Sequence, residues 1–266
     1  MRFRKYATAY GIALQQVLQR RSTLLMDRVG GIAVIVSLYY FWRALLGDKA
    51  QFLGYSRQQM LSYVLAMNVL RSFVFTGRGW ELVGEISTGR ISSYLVRPIS
   101  YHGYSLALDL AQKTVHVLAS FLEVGVLILV VGAPVYLPHR ASSWLMFPLA
   151  VALSSLLFFF LEFIVASLAF WTSESGGPLF CFELFLQFAA GTFFPLDVLP
   201  RALQKALAFT PFPYMVFFPI NIYLERPLPA GAPATILIEA AWLGALIWAA
   251  LAVWRLGLDN YAAEGG

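Results

Sequence analysis

The stretch WLMFPLAVALSSLLFFFLEFIVASLAFW, residues 144–171, decides the fold class: a tryptophan stands at each end, and Glu162 is the one charged residue between them. A bilayer-crossing helix needs about 20 mostly apolar residues, and indole rings favour the two membrane–water interfaces. The same reading, carried outward, finds apolar runs over about 29–46, 59–75, 106–131 and 235–254. A further run from Leu179 is barely long enough before Gly191, Pro195 and Pro200 interrupt it. The chain has 266 residues, 59% hydrophobic and 12% charged, with a mean hydropathy of +0.70. A soluble domain carries about 25% charged residues. The expectation is an all-α polytopic membrane protein, residues 1–266 forming a single transmembrane domain of six helices, with no room for a separate soluble enzyme domain.

Between and around these runs the polar segments take distinct forms. Residues 2–21 space Phe3, Tyr6, Tyr10, Ala13, Leu14, Val17 and Leu18 by three and four, the pattern of an amphipathic helix lying in the headgroup layer. With the cluster Arg20, Arg21 and Arg28 it makes 1–28 an interfacial unit. The start, though basic, runs into Gln15, Gln16 and Gln19, which is not the pattern of a cleavable signal peptide. Residues 76–105 form a long polar loop, and the first turns of the helix that follows carry Asp109, Gln112 and Lys113, expected to project beyond the hydrocarbon. The segment Thr172–Pro178, with Gly176-Gly177-Pro178, reads as a sharp turn. Residues 195–224 read as short helices dipping into one leaflet, within a proline-rich region 195–233.

The inventory excludes several functions. Cys181 is the only cysteine, so no disulfide or thiolate metal cluster forms within one chain. His102, His116 and His139 show no metal-ligand spacing, and no Gly-Lys pair exists to build a GxxxxGK[ST] phosphate loop. The net charge of +5 belongs to loops flanking the apolar runs, where it sets topology and attracts anionic lipid; it does not mark a nucleic-acid binder. With the N-terminus inside, the inner segments hold twelve basic residues and the outer ones seven. That bias puts both termini and the loop 76–105 in the cytoplasm and 195–233 outside.

Four glutamates fall in or near the apolar runs: Glu123, Glu162, Glu183 and Glu239. Ionisable groups at that depth are functional candidates by default; the alternative is a buried polar contact between helices. Arg43 and Arg71 sit near span ends, where long side chains snorkel. In the loop, Gly79-Trp-Glu-Leu-Val-Gly-Glu-Ile-Ser-Thr-Gly-Arg90 interleaves apolar and charged residues, a short amphipathic helix broken at Gly89 that offers a patch to a partner. A surface-lying connector has the same pattern.

The order of these features resembles the membrane subunits of ABC exporters of the type-two class, the bacterial six-span permeases that work beside a separate ATPase. The resemblance rests on the N-terminal helix, on Glu85-Ile-Ser-Thr-Gly-Arg-Ile-Ser-Ser-Tyr-Leu-Val-Arg-Pro-Ile99, and on Gly191-Thr-Phe-Phe-Pro-Leu-Asp-Val-Leu-Pro200 followed by Thr210-Pro-Phe-Pro-Tyr214 and Pro219. It implies a coupling helix at about 79–90, with Trp80, Glu81, Glu85, Ile86, Gly89 and Arg90 at the ATPase contact and the loop 172–178 as a second contact. It also implies an external gate of short helices containing Gly191, Pro195, Pro200, Pro211 and Pro213. Further implications are a second permease chain, identical or paralogous, a bacterial inner-membrane location, and no cofactor on this chain, ATP and magnesium belonging to the partner. Two other classes stand beside this one. A proton-coupled secondary transporter would use the glutamates, and inverted repeats, which would support it, are not seen. A membrane-embedded enzyme would need a convergent set, for which His116 and Glu123 on one helix face are the nearest approach.

Overall fold

The computed structural model describes residues 2–47, 51–172 and 176–264. Helix α1 (Arg2–Gln19) is followed at once by α2 (Arg21–Leu46). A two-residue hairpin, β1 (Gln51–Phe52) and β2 (Tyr55–Ser56), then leads into α3 (Arg57–Val74). Next come the short α4 (Gly79–Ser87) and α5 (Ile91–Leu95), then the long α6 (Tyr101–Val131) and α7 (Ala141–Ala166), the latter extended by a 3-10 turn to Phe170. Helix α8 (Gly176–Ala189), a 3-10 turn at Leu196–Val198, α9 (Arg201–Ala208), α10 (Phe212–Met215), α11 (Phe217–Tyr223) and α12 (Gly231–Glu264) complete the chain. The β1–β2 pair is the one departure from an all-α chain among the described residues.

Among the described residues, five helical stretches are long and apolar enough to cross a bilayer: 24–46, 57–87, 101–131, 141–170 and 231–261. Helix α8 is apolar but has only 14 residues, about 21 Å against a hydrocarbon core of about 30 Å. It nevertheless carries the chain from one end of the bundle toward the other. At its start, a Cβ on Gly176 would stand 3.2 Å from the Trp80 ring of α4, and at its middle Glu183 accepts from Trp80 Nε1 at 2.9 Å; just past its end, the Gly191 carbonyl accepts from the Tyr63 hydroxyl of α3 at 2.7 Å. As a result both α1 and the end of α12 reach the α4 end of the bundle, where Lys5 Nζ donates to the Pro98 carbonyl at 3.1 Å and the Tyr261 hydroxyl to that of Gly89 at 3.4 Å.

Helices α3 and α7 form the centre. Tyr63, Met67, Leu70, Leu157 and Phe158 are buried there, packed with Tyr39 and Trp42 of α2 and Met215 and Ile220 of α10 and α11. Outward, Leu129, Leu145, Leu237 and Trp248 are exposed, the surface a bilayer covers. A second core at the α4 end joins Leu82 and Ile86 of α4 to Tyr101, Phe163, Phe170 and Trp254, with the Tyr101 and Trp254 rings stacked 5.0 Å apart.

Helix α1 forms as its periodicity predicts, but its apolar stripe meets protein. Ala13 is buried, and the Tyr10 hydroxyl lies 3.0 Å from Thr114 Oγ1 of α6. The side chain of Phe3 lies outside the described residues. Two sequence expectations are corrected. Gly176-Gly177-Pro178 is the first turn of α8 instead of a loop; proline is tolerated there because its missing N–H would have no helical partner anyway. Residues 173–175 of the expected contact loop 172–178 lie outside the described residues. Asp109 and Lys113 have no exposed surface; they are ion-paired at 2.9 Å one helical turn apart. Lys113 Nζ also donates to Ser155 Oγ of α7 at 2.9 Å, so protein takes the place of the water expected around them.

Candidate functional site

The segment between α3 and α6 is held by buried polar ties. Arg78, just before α4, donates from Nη2 to Glu85 Oε1 at 3.2 Å and from Nη1 to Ser105 Oγ of α6 at 3.3 Å. The Tyr101 hydroxyl donates to the other Glu85 oxygen. Arg78 and Glu85 are only 7% and 6% exposed, so the pair sits where unpairing either charge is expensive.

Glu162 of α7 reaches the N-terminus of α4. Its Oε2 accepts from the Arg78 N–H at 3.1 Å, and the Gly79 N–H is a second donor. Free N–H groups and the helix dipole both favour an anion there. The approach is so close that a Cβ on Gly77 would stand 2.0 Å from Oε2, and one on Gly79 2.7 Å from Oε1. Glycine at both positions lets the carboxylate in. A glutamate that the sequence reading lists among intramembrane polar residues thus acts as a helix cap supplied from 84 residues away.

The expected partner-facing residues divide. Glu85 and Ile86 point into the second core. Trp80 and Glu81 are exposed yet engaged, Trp80 with Glu183 of α8 and Glu81 with Gln112 of α6 at 3.2 Å. Gly89 adopts φ +71°, the left-handed conformation that commonly terminates a helix, and starts the elbow between α4 and α5. On the outer side of that elbow Ser87, Thr88, Arg90, Ser92, Ser93, Leu95, Val96 and Arg97 are exposed, Val96 at 84%. The sequence reading missed the weight of Leu95–Arg97: their exposure depends on Ile91 and Tyr94 being drawn inward.

The other glutamates are also tied. Glu123 Oε1 lies 3.4 Å from Arg28 Nη1 of α2, and its Oε2 accepts from Asn68 Nδ2 of α3 at 3.3 Å. Arg28 Nη2 lies 2.7 Å from His116 Nδ1, so an arginine bridges the His116–Glu123 pair. Glu239 of α12, 1% exposed, has Ser154 Oγ of α7 at 2.9 Å. Among the described residues no three histidine, cysteine or acidic side chains stand together as a metal site.

At the opposite end, the segment 195–224 folds into short helices as expected. Pro195 and Pro200 each precede one, Pro211 is the N-cap of α10, and Pro213 lies in its first turn. Three loops distant in sequence meet there. Arg226 lies over the Tyr55 ring at 3.2 Å and is ion-paired to Asp197 at 3.3 Å, while the Tyr55 hydroxyl donates to Asp197 at 2.8 Å. The sequence reading did not find this junction; Asp197 between Pro195 and Pro200 was its only local sign.

Nearby, Glu225 takes φ +54°, rare for a residue with a side chain, and joins α11 to the start of α7. Desolvation alone would raise its carboxyl, but the N–H groups of Arg140 and His139 and the hydroxyls of Tyr136 and Ser143 outweigh that and hold it at about 2. A depressed carboxyl stabilises the folded state fully above its ordinary value of 4.5 and loses that contribution as pH falls toward 2. Glu225→Gln is therefore expected to lower the melting temperature at pH 7, with the deficit shrinking below about pH 4.5. A deficit that stays constant from pH 7 to pH 3 would show that the carboxylate's charge is not what holds this joint.

Among the described residues, five helices are long and apolar enough to cross a bilayer, and an exposed elbow stands at one end of the bundle. The chain matches the family model described as "ABC-2 family transporter protein" over residues 32–265, nearly its whole length, and it belongs to that family. No curated protein matches it.

Proposed function

We propose that this chain is the membrane-spanning permease subunit of an ATP-driven exporter in a bacterial inner membrane. In this reading it pairs with a second permease chain, identical or paralogous, and is driven by a separate ATPase that holds ATP and magnesium. The six crossings are α2, α3, α6, α7, α12 and, between α7 and α12, α8 with the irregular segment after it. Both termini lie in the cytoplasm with the α4 end, and residues 195–233 cap the external end.

One observation supports this most: the α4–α5 elbow is exposed on one side and, on the other, fastened to the transmembrane helices. The fastening runs through the Glu162 hydrogen bond to α7 and, charge-assisted, through the Arg78–Glu85–Tyr101 set to α6. Charge-assisted hydrogen bonds are about twice as strong as neutral ones, so a push on Arg90 or Val96 would move helices without bending the loop. The engaged Trp80 and Glu81 extend the fastening to α8 and α6. Donors on Glu123 and Glu162 favour fixed ties over a proton relay.

Co-purification tests the reading. The tagged chain, extracted in mild detergent, is expected to bring down a nucleotide-binding subunit at a one-to-one ratio. Transport by reconstituted chain alone, with no ATPase present, would contradict it.

A further inference from the structure

A cavity of about 510 Å³ lies between α2, α3 and α6, beside the Glu123 tie, within the size range of small-molecule sites. Its charged lining is Arg28, Arg71 and Glu123, with His116 at one edge. Arg28 is positioned: Nη1 reaches Glu123 and Ser120, Nη2 reaches His116, and its buried Nε has no hydrogen-bond partner among the described residues. The Arg71 guanidinium makes no hydrogen bond or ion pair with any described residue, and Arg28 is near enough to repel it. Among the described residues, two guanidinium groups therefore face one carboxylate near the α4 end of α2 and α3. Such an excess is costly in a low-dielectric surround unless an anion or water offsets it.

The mouth says which anion. Gly30 and Gly31 leave α2 without side chains along the cavity, and the adjoining Met26 and Val29 are exposed apolar residues, 77% and 67%. A ligand entering there meets apolar surface first and cations behind it, the arrangement of an amphiphile's chains and headgroup. Guanidinium forks match phosphate oxygens in pairs.

We propose that this cavity binds the anionic phosphate headgroup of a lipid or lipid-like amphiphile, read chiefly by Arg71, with Arg28 as a second cation held in place by Glu123. The inference requires only that the chain sits in a bilayer; it stands or falls independently of the ATPase pairing.

The test uses the full chain in mild detergent and three probes: short-chain phosphatidylglycerol, short-chain phosphatidylcholine and inorganic phosphate. Phosphatidylglycerol is expected to bind saturably, at least about tenfold tighter than either of the others, and about tenfold more weakly to Arg71→Gln, the scale of one charge-assisted hydrogen bond. Arg28→Gln also removes ties between α2 and α6 and can unfold the chain; Arg71→Gln removes no such tie. Unchanged phosphatidylglycerol binding by Arg71→Gln, or equal binding of phosphatidylcholine, would overturn the proposal. Inorganic phosphate binding as tightly as phosphatidylglycerol would overturn the assignment to a lipid headgroup.

Discussion

Glu85→Ala is expected to destabilise the fold by about 3–5 kcal/mol, the cost of leaving one member of a buried ion pair unpaired. The member left behind is Arg78, 7% exposed, which keeps only Ser105 as a side-chain partner, while the Tyr101 hydroxyl loses its acceptor. Arg90→Ala is the control: the side chain is exposed and bonds only to Thr88 within the same elbow, at 3.1 Å. Its folding stability should change by no more than about 0.5 kcal/mol, while its retention of the ATPase falls. Thermal melts by size-exclusion chromatography, run beside the pull-down, separate the two effects. If Glu85→Ala melts with the parent and loses the ATPase anyway, Glu85 is a contact residue and the internal tie is not what holds the elbow. Removing both charges, as Arg78→Met with Glu85→Leu, should recover much of the lost stability, because apolar replacement of a buried pair is often neutral.

The second large effect comes from adding one methyl group. Gly77→Ala places a Cβ where the Glu162 carboxylate now lies, so the carboxylate must leave the N-terminus of α4 and lose the Arg78 N–H. The loss of this hydrogen bond and the stranding of a buried acid together are expected to cost about 3 kcal/mol. Gly79→Ala should act the same way. Shortening the acid relieves the collision, so Gly77→Ala combined with Glu162→Ser should be less destabilised than the sum of the two single changes. Strict additivity of the three melting shifts would show that Gly77 and Glu162 do not meet.

How far the chain could be read without coordinates depended on how local each cause is. Helices α6, α7 and α12 announce themselves because a crossing helix must be apolar along its own length, and α1 because its stripe repeats every turn. Helix α8 was half legible: its apolar run is visible, but Gly176-Gly177-Pro178 are turn formers whose neighbours hold them as helix. The capping role of Glu162 was out of reach, since its donors are the N–H groups of Arg78 and Gly79, 84 and 83 positions earlier; Gly77-x-Gly79 at the start of a helix was the available hint. The Asp109–Lys113 pair could have been found from its i, i+4 spacing, although not its burial. Glu85 and Ile86 show the limit from the other side. An amphipathic pattern says that one face is apolar, but which residues a partner sees depends on what covers the rest, here Tyr101, Phe163 and Trp254.

We propose that the exposed side of the α4–α5 elbow is a cytoplasmic handle. Cys181 is the chain's only cysteine, so Val96→Cys in a Cys181→Ser background offers one thiol on that handle. A membrane-impermeant maleimide should label it in inside-out vesicles and leave it unlabelled in intact cells, with labelling suppressed when the ATPase is bound. Labelling of Val96→Cys from outside intact cells would contradict the account.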